Sequence, residues 1–89
     1  MTRQEIKNKV IEIVFNTFKN MGYDIGLIEK MDLVDDMGMD SITYIYMVIL
    51  IENSFDITFD DDVLLVDNFR NVDKIVSIIC ESVELRQGT

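Results

Sequence analysis

The chain has 89 residues, a length that supports one domain rather than two, and 48% of them are apolar, a proportion normal for a packed core. Its net charge of −9 disfavours nucleic acid and anionic lipid as partners and favours basic protein surfaces. It has no histidine, which removes the usual general base and the commonest metal ligand, and its single cysteine, Cys80, excludes an intramolecular disulfide.

The charge is uneven. Residues 24–67 hold twelve of the seventeen acids and one base, Lys30. The first residues are polar, and the longest uncharged run, Ser41–Ile51, falls far short of the roughly 20 residues that span a bilayer. The expectation is one free-standing domain over residues 1–89, monomeric, cytoplasmic and off the membrane. Acids used simply for solubility are the plainer account of the charge.

Ile6, Val10, Ile13, Val14, Thr17 and Phe18 recur at helical spacing and predict an amphipathic helix that ends near Met21–Gly22. From Gly22 to Asp40 the apolar residues lose their period, two further glycines appear, and five acids precede Asp40. This predicts a long loop pinned to the core, a feature that is usually functional. A second helix should run from about Ser41 to Phe55, with Asp40 or Ser41 at its N-terminus. A short helical piece starting at Asp60–Asp62 should cover Val63–Val66, its acids favoured by the helix dipole. Phe69 should plug the core. A last helix, about Asn71–Glu84, carries Val72, Ile75, Val76, Ile79, Cys80 and Val83 on one stripe. Phe55, Ile57 and Phe59 alternate only briefly, so the fold class is all-α, a bundle of three long helices and one short one.

The second helix is apolar on two sides. Tyr44, Met47, Val48, Ile51 and Phe55 should face the core, while Ile42, Ile45, Tyr46 and Ile49 form an opposite stripe. Either the long loop covers that stripe or it faces solvent as a docking patch. A partner seated at Ile42 and Ile45 would also reach Ser41.

Chemistry of other kinds finds little support. A hydrolase with Ser41 as nucleophile lacks a base, and Gly38-Met39-Asp40-Ser41-Ile42 is not the G-x-S-x-G elbow. An EF-hand register on Gly38 places Leu33 where the first carboxylate is needed, so neither a metal site nor a catalytic residue is assigned. Cys80 and the methionines read as packing. Ser41 remains: a hydroxyl at a helix start, after a glycine turn and beside Asp40, is suited to a phosphate ester facing the positive end of the helix dipole. An ordinary N-cap is the plainer reading of the same serine.

The run Leu33-Val34-Asp35-Asp36-Met37-Gly38-Met39-Asp40-Ser41-Ile42 resembles the Asp-Ser-Leu attachment motif of phosphopantetheine-dependent carriers, the acyl and peptidyl carrier proteins, with isoleucine in place of leucine. Glu52–Phe59 is similar to the end of their second helix, and Asp67–Ile75 to the approach to their fourth. The resemblance covers nearly the whole chain and implies the acyl-carrier-like bundle. It further implies that Ser41 receives 4'-phosphopantetheine from coenzyme A through a phosphopantetheinyl transferase that recognises the flanking Asp40. The thiol of the arm would then hold acyl or aminoacyl cargo for loading and synthase enzymes, and the carrier itself would do no chemistry.

The outer stripe Ile42, Ile45, Tyr46 and Ile49 becomes the candidate partner surface under this resemblance. Fatty-acid carriers typically line that face with acids, whereas here no charge lies between Ser41 and Ile51. The departure favours a dedicated polyketide or nonribosomal-peptide type of pathway over housekeeping fatty-acid synthesis. The alternative is a helical protein-interaction module with no prosthetic group.

Overall fold

The computed structural model describes the backbone of residues 1–87 and the side chains of residues 1–83. Helix α1 spans Arg3–Thr17, α2 spans Ser41–Phe55 and α3 spans Val72–Gln87, with 3-10 segments at Lys19–Met21, Ile25–Lys30 and Val66–Phe69. No strand occurs among the described residues. The fold is the expected all-α bundle, its short fourth element being Val66–Phe69.

α1 begins at a reciprocal cap. The Glu5 amide donates to Thr2 Oγ1 at 3.1 Å, and the Thr2 amide donates back to the Glu5 carboxylate at 2.9 Å, which satisfies two of the amides that a helix start leaves unpaired. The stripe that follows buries Ile6, Val10, Ile13 and Val14, and the chain turns away through Gly22 in the left-handed region at φ 75°. α1 packs against both α2 and α3 and against the Ile25–Lys30 segment. Met47, Val48, Ile51 and Phe55 of α2 and Val72, Ile75, Val76 and Ile79 of α3 complete the core with it. Cys80 packs at the margin, its Sγ accepting from Arg3 at 3.8 Å.

Phe69 is fully buried, with ring centroids 5.5 Å from both Tyr44 and Phe59 in edge-to-face contact. The Phe55–Ile57–Phe59 alternation also has a structural meaning. All three side chains are buried, while Asp56, Thr58 and Asp60 between and after them are exposed. Phe55 ends α2 and Asp56 turns the chain in the left-handed conformation, so the alternation comes from a helix end and the loop after it, not from a strand.

Two details differ from the expectation. The long loop contains a turn of 3-10 helix at Ile25–Lys30, started by Asp24, whose side chain accepts from the Gly26 amide at 2.8 Å. The short helix lies later than the acids suggested. Asp60–Asp62 form a turn in which the Val63 and Leu64 amides donate to the Asp60 and Asp61 carbonyls at 2.9 and 3.2 Å, and the helical segment begins only at Val66. Placing helix on Val66–Phe69 rather than on Val63–Val66 is what turns the Phe69 ring into the core.

Candidate functional site

The attachment motif is built by backbone turns around two side chains that anchor in the core. Met37 and Met39 are buried, and Gly38 between them takes φ 68°, a conformation costly for any residue with a Cβ. The Gly38 amide donates to Val34 at 3.0 Å and the Met39 amide to Leu33 at 2.9 Å, folding the chain back on itself before Asp40. Leu33 is itself fully buried.

Asp40 is the N-cap of α2. Its carboxylate accepts from the Thr43 amide at 2.8 Å, and that bond holds its carboxyl below the usual carboxylate range. Ser41 is therefore the first residue inside the helix, exposed, and not the cap. The ordinary N-cap role that would have explained this serine belongs to its neighbour. An exposed Oγ at the positive end of a 15-residue helix, with no structural duty, fits a phosphodiester ester.

The outer stripe faces solvent. Ile42 is 80% exposed, Ile45 56%, Tyr46 54% and Ile49 49%, so the long loop does not cover it. Ser41 and all four candidates lie together on the outside of α2. Tyr44, one turn after Ser41, points inward instead. Its hydroxyl is buried with no partner among the described residues, and burial pushes its pKa up.

A charged cluster beside the motif was not singled out from the sequence. Arg70 Nε donates to Asp32 Oδ2 at 3.1 Å, Nη2 pairs with Asp35 at 2.9 Å and Nη1 with Asp67 at 3.3 Å. Asp32 also accepts from the Val34 and Asp35 amides at 2.9 and 2.7 Å. These amides, with Arg70, lower its pKa, and the carboxylates raise that of Arg70. The one available signal was numerical: Arg70 is the first base after Lys30 in a long acidic stretch.

Asp32 and Asp40 share a consequence for pH. A carboxylate with a depressed folded pKa contributes stability above its unfolded pKa, near 4, and loses it as pH falls through the folded value. The melting temperature of wild type relative to Asp40→Asn should thus shift against wild type as pH falls from about 5 to about 2. Parallel melting curves across that range would reject this assignment of Asp40.

A cavity of about 660 Å³ lies beyond the far end of α2, lined by Ile57, Thr58, Asp60, Val63 and Ile78 among others, and it includes no residue of the attachment motif. No helix among the described residues is long and apolar enough to cross a membrane, and none of their His, Cys, Asp and Glu side chains form a group of three able to hold a metal ion.

Comparison with known proteins agrees with this geometry. The family profile described as "Phosphopantetheine attachment site" matches residues 20–79. An acyl carrier protein of Desulforapulum autotrophicum is 38% identical over 58 residues, 64% of this chain and 73% of that protein. The structure of an acyl carrier protein from Enterococcus faecalis, noted for high thermal stability, matches with a TM-score of 0.72 at 25% identity, over 92% of this chain and 99% of that one. With the matched stretch running from just after α1 into α3 and enclosing the Asp40-Ser41 motif, this chain belongs to the phosphopantetheine-attachment family of carrier proteins, which hold cargo rather than catalyse its reactions.

Proposed function

We propose that this protein is an acyl carrier that tethers pathway intermediates as thioesters on a 4'-phosphopantetheine arm at Ser41. The observation that carries the assignment is the division of labour at the start of α2: Asp40 caps the helix and Ser41 is exposed beside it. In the loading step the Ser41 Oγ attacks the phosphorus nearest the pantetheine of coenzyme A. A new P–O bond forms, the pyrophosphate bond breaks, and the nucleotide leaves as 3',5'-ADP.

The test is the intact mass of the purified protein after incubation with coenzyme A, magnesium and a broad-specificity phosphopantetheinyl transferase. A gain of one phosphopantetheine group is expected. No gain with two different transferases, in a folded sample, would leave the cofactor-free interaction module as the better account.

The outer face of α2 supports a finer reading. Its four exposed apolar side chains carry no charge among them, and burying such a side chain fully against a partner is worth about 1.5–3 kcal/mol. Enzymes of a dedicated polyketide or peptide type of pathway, gripping by apolar contact, match this face better than basic grooves do. Acids elsewhere on the domain then steer the encounter over longer range. Tyr46→Glu should weaken the cognate complex at least about tenfold, the loss of one well-buried anchor, while raising salt weakens it little. Strong salt dependence together with an inert Tyr46→Glu would reverse the reading toward charge-driven recognition of the fatty-acid type.

A further inference from the structure

We infer that Arg70, 29 residues downstream of Ser41 in sequence, is the positioning residue that holds the Ser41 segment in its presenting conformation. This rests on the attachment role of Ser41. The connection is short and continuous. The Arg70 carbonyl accepts from the Leu33 amide at 2.6 Å, and the Leu33 carbonyl accepts from the Met39 amide at 2.9 Å, one residue before the Asp40 cap. The Arg70 side chain also pairs with Asp32 and Asp35, next to that backbone bond. Asp32 in turn fixes the Val34 and Asp35 amides, and its own amide is held by Asp36 at 2.8 Å.

Backbone and guanidinium of one residue thus hold the Asp32–Asp35 half of the turn against the segment that leads into α3, and the turn's own Met39–Leu33 bond carries that hold to the residue before the Asp40 cap. Nothing else charged positively is bonded to that turn among the described residues, and the acids around it would otherwise repel one another. Without the clamp the turn would sample open forms in which Met39 leaves the core and the α2 cap loses its approach. A transferase that needs the closed form would then see only the closed fraction, and its apparent affinity for the carrier would fall by that fraction.

The experiment compares wild type with Arg70→Gln and Arg70→Lys, using Ile79→Val and Ile79→Ala as core variants that bracket the same loss of melting temperature. Two readouts are taken. The first is the steady-state rate of phosphopantetheine transfer, by intact mass. Arg70→Gln should raise the KM for the carrier about tenfold, as expected if about a tenth of molecules stay closed, while kcat is kept. Arg70→Lys should recover part of the loss, and the Ile79 variants should leave KM unchanged.

The second readout is hydrogen exchange at the Met39 amide, which needs no transferase. It should speed up in Arg70→Gln well beyond its rate in either Ile79 variant. The inference is overturned if Met39 exchange in Arg70→Gln falls on the line set by the Ile79 variants, or if KM does. Should wild type accept no phosphopantetheine, the carrier reading fails by itself and the exchange measurement still decides the positioning role.

Discussion

Ser41→Ala is expected to take up no phosphopantetheine at all under conditions in which wild type gains one group, and to melt within about 0.5 kcal/mol of wild type. Both halves follow from the start of α2. The reacting oxygen is the only atom lost, so transfer has no acceptor. The fold loses nothing comparable, because Ser41 is exposed, alanine is the best helix former, and the Thr43 amide keeps its bond to Asp40. Asp40→Ala should differ in kind: the hydroxyl stays, so loading is slowed rather than abolished, while the first turn loses its cap and the melting temperature falls by several degrees. Mass spectrometry and thermal melts on the two variants separate chemistry from scaffolding at adjacent positions. Residual mass gain in Ser41→Ala would move the attachment to another hydroxyl.

Phe69→Ala should be the most damaging core substitution near the site. The ring is fully buried and meets Tyr44 of α2 and Phe59 of the loop after α2. Removing such a ring costs about 3–5 kcal/mol in lost burial and residual cavity. A domain of 89 residues has about 4–13 kcal/mol in all. The melting temperature should drop by at least about 12 °C, and Phe69→Leu by clearly less. A loss below about 5 °C for Phe69→Ala would mean that the neighbours collapse into the space and that the ring is not what joins α2 to the Val66–Phe69 segment.

How much of this was legible in the sequence depended on whether the cause was local. The span of α2 was readable because apolar residues on two faces begin directly after Asp40 and end at Phe55, where Asp56 takes the left-handed conformation at φ 53°. The outer stripe was readable from the same periodicity, but whether the long loop covers it depends on tertiary packing, and only the structure shows it open to solvent. Phe69 was readable as a core residue from its isolation between polar neighbours.

The short helix was misplaced because Asp60–Asp62 satisfy two rules at once. Consecutive acids favour a helix start, yet they equally suit an exposed turn, and the burial of Phe69 decided between them. The Ile25–Lys30 turn left no period to read, since Ile28 is its single buried residue. The Arg70 clamp was invisible for a different reason. Its bonds to Asp32 span 38 positions, and the pairing of charges across such a distance has no periodic signature.

The uncharged outer face of α2 has a further effect at high protein concentration. At neutral pH a net charge of −9 keeps molecules apart even though Ile42, Ile45, Tyr46 and Ile49 are open to solvent. As pH falls into the carboxylate range that repulsion fades, while the stripe remains as sticky as before. Self-association measured by light scattering should therefore rise steeply on acidification, well before the helices melt, and Tyr46→Glu should delay it. The surface proposed to receive a partner is thus also what limits colloidal stability, with the surrounding acids as the counterweight.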